Sequence, residues 1–194
     1  TRSYAHPDSR SARLFREAQS VMPGGNSRTT VWMPPYPPYA AEGEGCWLVD
    51  VDGDRRLDLL ANYTALIHGH AHPVVTEAAS RRVRRGASFA LPTPEEIELA
   101  ALLVERLPGV ERLRFTNSGS EAVMMALKAA RGFTGRPRIA KFEGAYHGTH
   151  DHAEVSLGSG PEEWGPVAEP ASVAYARGTP PAVLADTVVL PWNR

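Results

Sequence analysis

Three small residues, Ser118, Gly119 and Ser120, lie where a predicted strand at 112–116 turns into a predicted helix at 120–132. The backbone N–H groups in the first turn of a helix have no acceptor within the helix, and the helix dipole favours negative charge there. Glycine at this point lets a ligand approach the backbone closely. The segment therefore predicts an anion site of the kind that binds phosphate, although Ser-Gly-Ser-Glu is also a good helix cap.

A second group of residues follows the next predicted strand, at 138–142. Tyr146 and His147 lie between Gly144 and Gly148, and ligands in open α/β sheets bind at the carboxyl ends of the strands. An aromatic ring beside a phosphate site suits a planar heteroaromatic cofactor, which it can bind by stacking. This context favours a phosphorylated aromatic ligand over a helix cap alone.

The histidines of the chain do not predict a metal site. His68, His70 and His72 alternate as ligands on one face of a strand would, but Gly69 and Pro73 favour a turn before a helix. A looser histidine group after residue 146 has no carboxylate partner that we can place. We expect no bound metal.

The composition describes an ordinary globular protein. The chain has 194 residues, a formal net charge of -1 and 42% hydrophobic residues, so charge gives no reason to expect nucleic acid as a partner. No apolar run reaches the roughly 18 residues of a membrane span. The single cysteine, Cys46, excludes an internal disulfide framework and fits a reducing compartment. We expect a cytoplasmic protein without a membrane partner.

Hydrophobic periodicity and Gly/Pro punctuation predict the elements that must position these residues. They are helices at 8–21, 73–85, 94–107 and 120–132, a hairpin of 46–51 with 56–60, strands at 112–116, 138–142 and 187–190, and a long irregular loop at 158–181. Strand, helix and strand at this spacing predict a parallel α/β sheet. About three such strands would leave apolar surface uncovered, so we expect the chain to be incomplete at its C-terminus.

Two of these segments, Thr116–Ala122 and Phe142–Gly148, together resemble the class III, fold-type I aminotransferases that depend on pyridoxal 5'-phosphate (PLP). Three upstream blocks occur in the same order as in that family, namely Met22–Arg28, Gly43–Gly53 and His68–Pro73. The resemblance implies the N-terminal part of an α/β, fold-type I PLP transferase. Residues 1–60 would form an N-terminal helix, an arm and a small β-hairpin region. Residues 61–194 would form the first part of the large cofactor domain, with its parallel or mixed sheet.

The resemblance also implies residue roles. Ser118, Gly119 and Ser120 would bind the PLP phosphate, Tyr146 would stack on the pyridine ring, and His147 would lie beside it. The family's cofactor-binding lysine belongs to a later segment that is not recognised here, so no catalytic residue is assigned.

Two residues are candidates for substrate binding. Arg28 matches the position that lies near the substrate carboxylate in β-amino-acid aminotransferases and glutamate-1-semialdehyde 2,1-aminomutases, and a guanidinium suits a carboxylate. A solvated loop arginine is the equal alternative. Tyr63 follows the hairpin where the substrate pocket of the family begins, although it could equally belong to the core.

The implied activity is transfer of an amino group between an amino acid, possibly a β-amino acid, and a keto acid, in a homodimer. The first alternative is a glutamate-1-semialdehyde 2,1-aminomutase, from which Asn62–Leu66 departs because it lacks the expected tryptophan. The second alternative is a truncated, non-catalytic fragment of the PLP fold.

Overall fold

The computed structural model describes residues 4–193. The chain forms two compact units, Thr1–Pro92 and Thr93–Arg194, and each is described by itself. The boundary predicted between residues 60 and 61 concerns the domains of the complete family fold and stays a prediction.

The first unit begins with helix α1, Arg10–Val21. The Ser9 side chain caps it by accepting the Ala12 N–H at 3.0 Å, which satisfies one of the free donors of the first turn. Ala12 and Ala18 are buried. A short 3-10 turn at Pro23–Gly25 follows, because proline cannot continue an α-helix. The predicted helix at 8–21 is thus confirmed.

A three-stranded antiparallel sheet follows in the first unit. Its strands are β1 (Ala40–Glu44), β2 (Trp47–Asp50) and β3 (Arg55–Leu57), in the order β1-β2-β3. Helix α2, Pro73–Arg84, ends the element order of this unit. The predicted hairpin and helix are confirmed, whereas β1 was not predicted.

The turn of the hairpin is joined to α1 by a carboxylate. Asp52 accepts the backbone N–H of Arg10 at 2.6 Å and the hydroxyl of Ser11 at 2.5 Å. Burial alone would raise the pKa of Asp52, but the hydrogen bonds from Ser11 and Arg10 outweigh it and lower that pKa. The carboxylate therefore fixes the start of α1 on the β2–β3 turn.

The second unit contains four helices and two strands among its described residues. They are α3 (Pro94–Arg106), α4 (Gly119–Thr134), β4 (Ile139–Phe142), α5 (Asp151–Glu154), α6 (Pro181–Asp186) and β5 (Thr187–Leu190). Strands β4 and β5 pair in parallel, with Ile139 opposite Thr187, as predicted. Val155, Val183 and Val189 form the buried core of this unit.

The predicted strand at 112–116 is wrong. This segment forms no helix or strand, and among residues 4–193 no backbone hydrogen bond joins it to another segment. The sequence pattern reports a preference for extended backbone, but a strand forms only where a neighbouring strand supplies hydrogen-bond partners. The irregular stretch was predicted well, since residues 155–180 contain no helix or strand. Among the helices of residues 4–193, none is long and apolar enough to cross a membrane.

Candidate functional site

Helix α4 begins at the predicted anion site and is capped there. The Ser118 side chain accepts the Glu121 N–H at 3.2 Å, and the Glu121 carboxylate in turn accepts the Asn117 N–H at 2.6 Å. This reciprocal arrangement resembles a capping box. The cap that the sequence suggested is therefore present, and it uses the Ser118 oxygen as an acceptor.

The cap leaves room for a ligand. Within residues 4–193, the backbone N–H groups of Ser118, Gly119 and Ser120 donate to no acceptor. A Cβ atom placed on Gly119 would meet no atom within 4 Å. Free N–H donors beside open space at a helix N-terminus suit a phosphate group. These three residues are called the serine cradle below.

The loop that follows β4 contacts the serine cradle directly. The Thr149 N–H donates to the Ser120 Oγ at 3.0 Å. Gly148 is buried and has a φ of +105°, and a Cβ there would lie 2.5 Å from the Ser120 Oγ and 2.7 Å from its Cα. Position 148 thus requires glycine both for its backbone conformation and for its contact with Ser120.

The same loop carries the predicted stacking residue. Tyr146 is 62% exposed and lies two residues before Gly148, so their Cα atoms are at most about 7.6 Å apart. His147 is exposed as well. The base of the loop is fixed to the sheet by the Glu143 N–H, which donates to the Leu190 carbonyl at 2.9 Å. An exposed aromatic side chain therefore lies near the serine cradle.

Lys141, the buried lysine of β4, forms its hydrogen bond inside the second unit. Lys141 is 6% exposed, and its ammonium donates to the carbonyl oxygen of Val155. Burial lowers the pKa of Lys141. The Lys141 ammonium is therefore engaged by the interior of the second unit. No group of three or more His, Cys, Asp or Glu residues within 4–193 could hold a metal ion.

In the first unit, the two candidate substrate residues contact each other. The Arg28 guanidinium carbon lies 5.0 Å from the centroid of the Tyr63 ring. One guanidinium nitrogen, Nη1, donates to the Asn62 side-chain oxygen at 3.2 Å. The Tyr63 hydroxyl donates to the Thr30 carbonyl at 2.9 Å, which fixes the ring. Arg28, Asn62 and Tyr63 are called the arginine group below.

The arginine group depends on an unusual backbone turn. Ala61, Asn62, Tyr63 and Thr64 have φ values of 46°, 48°, 56° and 69°. Positive φ is uncommon for residues other than glycine, and four in succession are rarer still. Such backbone persists only where the surrounding structure holds it, and it is typical of functional sites.

Asp58 holds the beginning of this turn. One carboxylate oxygen accepts the N–H groups of Leu60 and Ala61, at 3.0 and 2.9 Å. The other lies 2.7 Å from the His70 Nε2. The hydrogen bond with His70 and that from Ala61 lower the pKa of the Asp58 carboxyl.

His70 is in turn anchored to the sheet of the first unit. It forms an isolated bridge with Gly45, in which each backbone N–H donates to the other residue's carbonyl, at 2.8 and 3.0 Å. A Cβ on Gly43 would lie 2.7 Å from the His70 ring, so glycine is needed beside it. A continuous set of contacts therefore runs from β1 through His70 and Asp58 to the turn.

Sequence reasoning did not assign roles to four residues that the structure places at these sites. They are Asp58, Asn62, His70 and Gly148. The glycine that closes the Tyr146 motif was visible, but its contact with Ser120 has no sequence signal. The role of Asn62 had a weak sequence signal, because asparagine tolerates positive φ better than most residues.

The sequence profile of the aminotransferase class-III family matches residues 30–170. The chain belongs to this family. Among curated relatives, glutamate-1-semialdehyde 2,1-aminomutase of Methanothermobacter thermautotrophicus is 45% identical over 184 residues, which cover 95% of this chain and 42% of the relative.

Two solved structures resemble the chain along nearly its whole length. An omega-transaminase from Sphaerobacter thermophilus is 56% identical with a TM-score of 0.93, covering 98% of this chain and 43% of that one. A β-phenylalanine aminotransferase from Variovorax paradoxus is 38% identical with a TM-score of 0.77, covering 97% and 39%. The predicted fold class, a fold-type I transferase, is thereby confirmed. The chain spans about two fifths of the length of these relatives.

Proposed function

We propose that the protein of which this chain forms part transfers an amino group between an amino acid and a keto acid with PLP as cofactor. The observation that carries the proposal is the serine cradle, whose three free N–H groups lie beside open space and beside the Tyr146 loop. Family membership supports the same activity. When bound, PLP supplies an electron sink that stabilises negative charge at the reacting carbon.

Each residue of the serine cradle has a role in this proposal. The N–H groups of Ser118, Gly119 and Ser120 would donate to the phosphate, and the helix dipole would support its charge. Ser120 would keep its orientation because its oxygen accepts the Thr149 N–H. Tyr146 would cover one face of the pyridine ring by stacking, and His147 would lie beside it.

The arginine group would bind the substrate in the same proposal. The Arg28 guanidinium would pair with a substrate carboxylate, a geometry for which its planar donors are suited. Tyr63 would fix the guanidinium from its ring face. The covalent and proton-transfer steps are proposed to depend on residues outside this chain. The proposal also includes a division into domains at 1–60 and 61–194. It includes a homodimer and a cytoplasmic location as well.

A glutamate-1-semialdehyde 2,1-aminomutase is the second candidate, favoured by the 45% identity to the Methanothermobacter thermautotrophicus enzyme. The aminotransferase is preferred because the Sphaerobacter thermophilus transaminase has 56% identity. The segment Asn62–Leu66 also lacks the tryptophan expected of the aminomutase. A β-amino acid is the proposed donor, in keeping with the β-phenylalanine aminotransferase neighbour.

The experiment uses the full-length protein loaded with PLP. β-Phenylalanine is supplied with and without a keto acid, and glutamate-1-semialdehyde is supplied without one. An aminotransferase forms product only when the keto acid is present, whereas an aminomutase converts glutamate-1-semialdehyde alone. A protein that retains PLP through dialysis but shows neither reaction and no borohydride-trapped adduct would instead be a non-catalytic member of the fold.

The role of Tyr146 is tested in the same preparations. Tyr146→Ala should weaken PLP binding about tenfold and shift the cofactor absorption band, since stacking contributes about 1 kcal/mol. Tyr146→Phe keeps an aromatic ring and is the matched control, expected to bind PLP nearly as the wild type does. Equal affinity and an unchanged spectrum in Tyr146→Ala would remove the ring from the cofactor site.

A further inference from the structure

Asn62 holds the Arg28 side chain without neutralising it. Its carboxamide oxygen accepts one hydrogen bond, from Nη1 at 3.2 Å, and within residues 4–193 Arg28 forms no ion pair. A neutral acceptor orients a guanidinium but leaves its positive charge uncompensated. The Nε and Nη2 donors form no hydrogen bond with the described residues, so this edge can take a carboxylate through two parallel hydrogen bonds.

The second contact of Arg28 is also uncharged. The Tyr63 ring attracts the cation through its electron-rich face, 5.0 Å from the guanidinium carbon. The ring cannot swing away freely because its hydroxyl donates to the Thr30 carbonyl. Both side chains that hold Arg28 therefore restrict its geometry while preserving its charge for a third group.

The backbone at position 62 explains why the choice of residue is informative. Asn62 has a φ of 48°, a conformation that asparagine and aspartate both tolerate better than most residues. An aspartate could thus occupy the turn with nearly the same shape and could also accept the Arg28 hydrogen bond. The property that separates the two residues here is charge, because only aspartate would form an ion pair with Arg28.

We infer that Asn62 is a specificity-determining residue, which positions the Arg28 guanidinium and keeps its charge free for a substrate carboxylate. This inference rests on the proposed function, in which Arg28 binds that carboxylate. It assigns the preference for an anionic substrate to the amide at position 62 as well as to the arginine itself. Replacing the amide by an acid should close the site to carboxylates without altering its shape.

The test measures ligand binding to the full-length protein by calorimetry, apart from catalytic turnover. The probes are 3-phenylpropanoate and 3-phenylpropanamide, which have similar shapes and differ in charge. The variants are Asn62→Asp, Asn62→Gly and, as the matched amide-to-acid control, Gln19→Glu on the exposed side of α1. Glycine tolerates positive φ, so Asn62→Gly removes the hydrogen bond without straining the turn.

We expect the wild type and Gln19→Glu to bind the carboxylate more tightly than the amide. Asn62→Asp should lower the affinity for the carboxylate about tenfold or more and leave that for the amide unchanged, because its carboxylate competes for Arg28. The affinity of Asn62→Gly for the carboxylate should lie between that of the wild type and that of Asn62→Asp. A carboxylate preference retained in Asn62→Asp, or absent in the wild type, would overturn the inference.

The same preparations separate this inference from the proposed function. Amino transfer by the wild type with an unchanged preference in Asn62→Asp would leave the function standing and remove the role of Asn62. Loss of the preference in Asn62→Asp without any PLP binding by the wild type would support an anion site governed by Asn62 and reject the aminotransferase.

Discussion

The serine cradle and the arginine group are held in position by different kinds of interaction. The cradle is built from consecutive residues at one helix start, and its cap is a pair of hydrogen bonds that span three and four residues. The arginine group joins residues 34 positions apart and depends on a turn that few side chains adopt readily. The cradle should therefore tolerate distant changes, whereas the arginine group should respond to any change that releases its turn.

The cradle nevertheless has one long-range contact, from the loop that carries Tyr146. Gly148 meets Ser120, and the Thr149 N–H donates to the same serine, 29 residues away in sequence. If this contact is essential, the cradle is less local than its cap suggests. Substitution of Gly148 therefore tests most directly whether the serine cradle depends on local contacts alone.

Gly148→Ala should have the largest effect. The new Cβ would lie 2.5 Å from the Ser120 Oγ, at a φ of +105° that alanine adopts only with strain. We expect PLP affinity of the full-length protein to fall about a hundredfold, equivalent to about 2.7 kcal/mol. This affinity is measured by titrating the protein with PLP and following the absorption band of the cofactor.

The control for this substitution is Gly178→Ala, where a Cβ would meet no atom within 4 Å. This variant should bind PLP as the wild type does. Circular dichroism and the unfolding midpoint of both variants show whether Gly148→Ala remains folded. Wild-type affinity in a folded Gly148→Ala would show that the loop does not position Ser120.

Gly119→Ala tests the serine cradle itself, because it should lower the PLP affinity without lowering the free energy of unfolding. The added methyl group meets no protein atom within 4 Å, and alanine is a better helix residue than glycine. The free energy of unfolding without cofactor should therefore stay unchanged or rise by less than about 1 kcal/mol. PLP affinity should fall about tenfold, since the methyl group would occupy space needed by the phosphate.

Two measurements on the same variant decide this prediction. Urea unfolding without PLP gives the stability, and the absorption titration gives the affinity. An unchanged affinity would mean that the open space beside Gly119 is not where the phosphate binds. A large loss of stability would mean instead that glycine serves the helix cap.

The same contrast explains how much the sequence alone could predict. Helices α1, α2 and α3 follow from periodicity and from prolines and caps at their ends, which are local signals. The cap of α4 is equally local, so Ser118, Gly119 and Ser120 could be proposed as a group. The hydrogen bond between Asn62 and Arg28 depends on the folded path of the chain, and four positive φ values without a glycine give almost no sequence signal.

The strand predicted at 112–116 did not form, and the reason is again that sequence patterns report local preferences. Residue preferences describe the segment itself, but a strand also requires a neighbour with free backbone donors and acceptors. The sequence predicted a parallel sheet from the strand, helix and strand expected at 112–142. Strands β4 and β5, which join residues 48 positions apart, are parallel, although the strand at 112–116 did not form. The parallel direction of the strands was thus predictable from a rule of α/β topology, whereas contacts that individual side chains decide were missed.

Asp58→Asn gives the smallest expected effect and acts on the turn of the arginine group. The carboxyl accepts the Leu60 and Ala61 N–H groups and pairs with His70, and its pKa in the folded protein is lowered. A carboxyl with a lowered pKa stabilises the fold above its unfolded pKa of about 3.9. This contribution disappears as the pH falls from there through the lower, folded value.

The wild type should therefore exceed Asp58→Asn in free energy of unfolding by about 1 kcal/mol at pH 7, and the difference should shrink below about pH 4. Hydrogen exchange at pH 7 adds a local measurement, because the amides of Leu60 and Ala61 should lose protection in the variant. Asp151→Asn, at an exposed position, serves as the control with no change in these two amides. A difference between wild type and Asp58→Asn that persists at low pH would show that shape rather than charge at position 58 holds the turn.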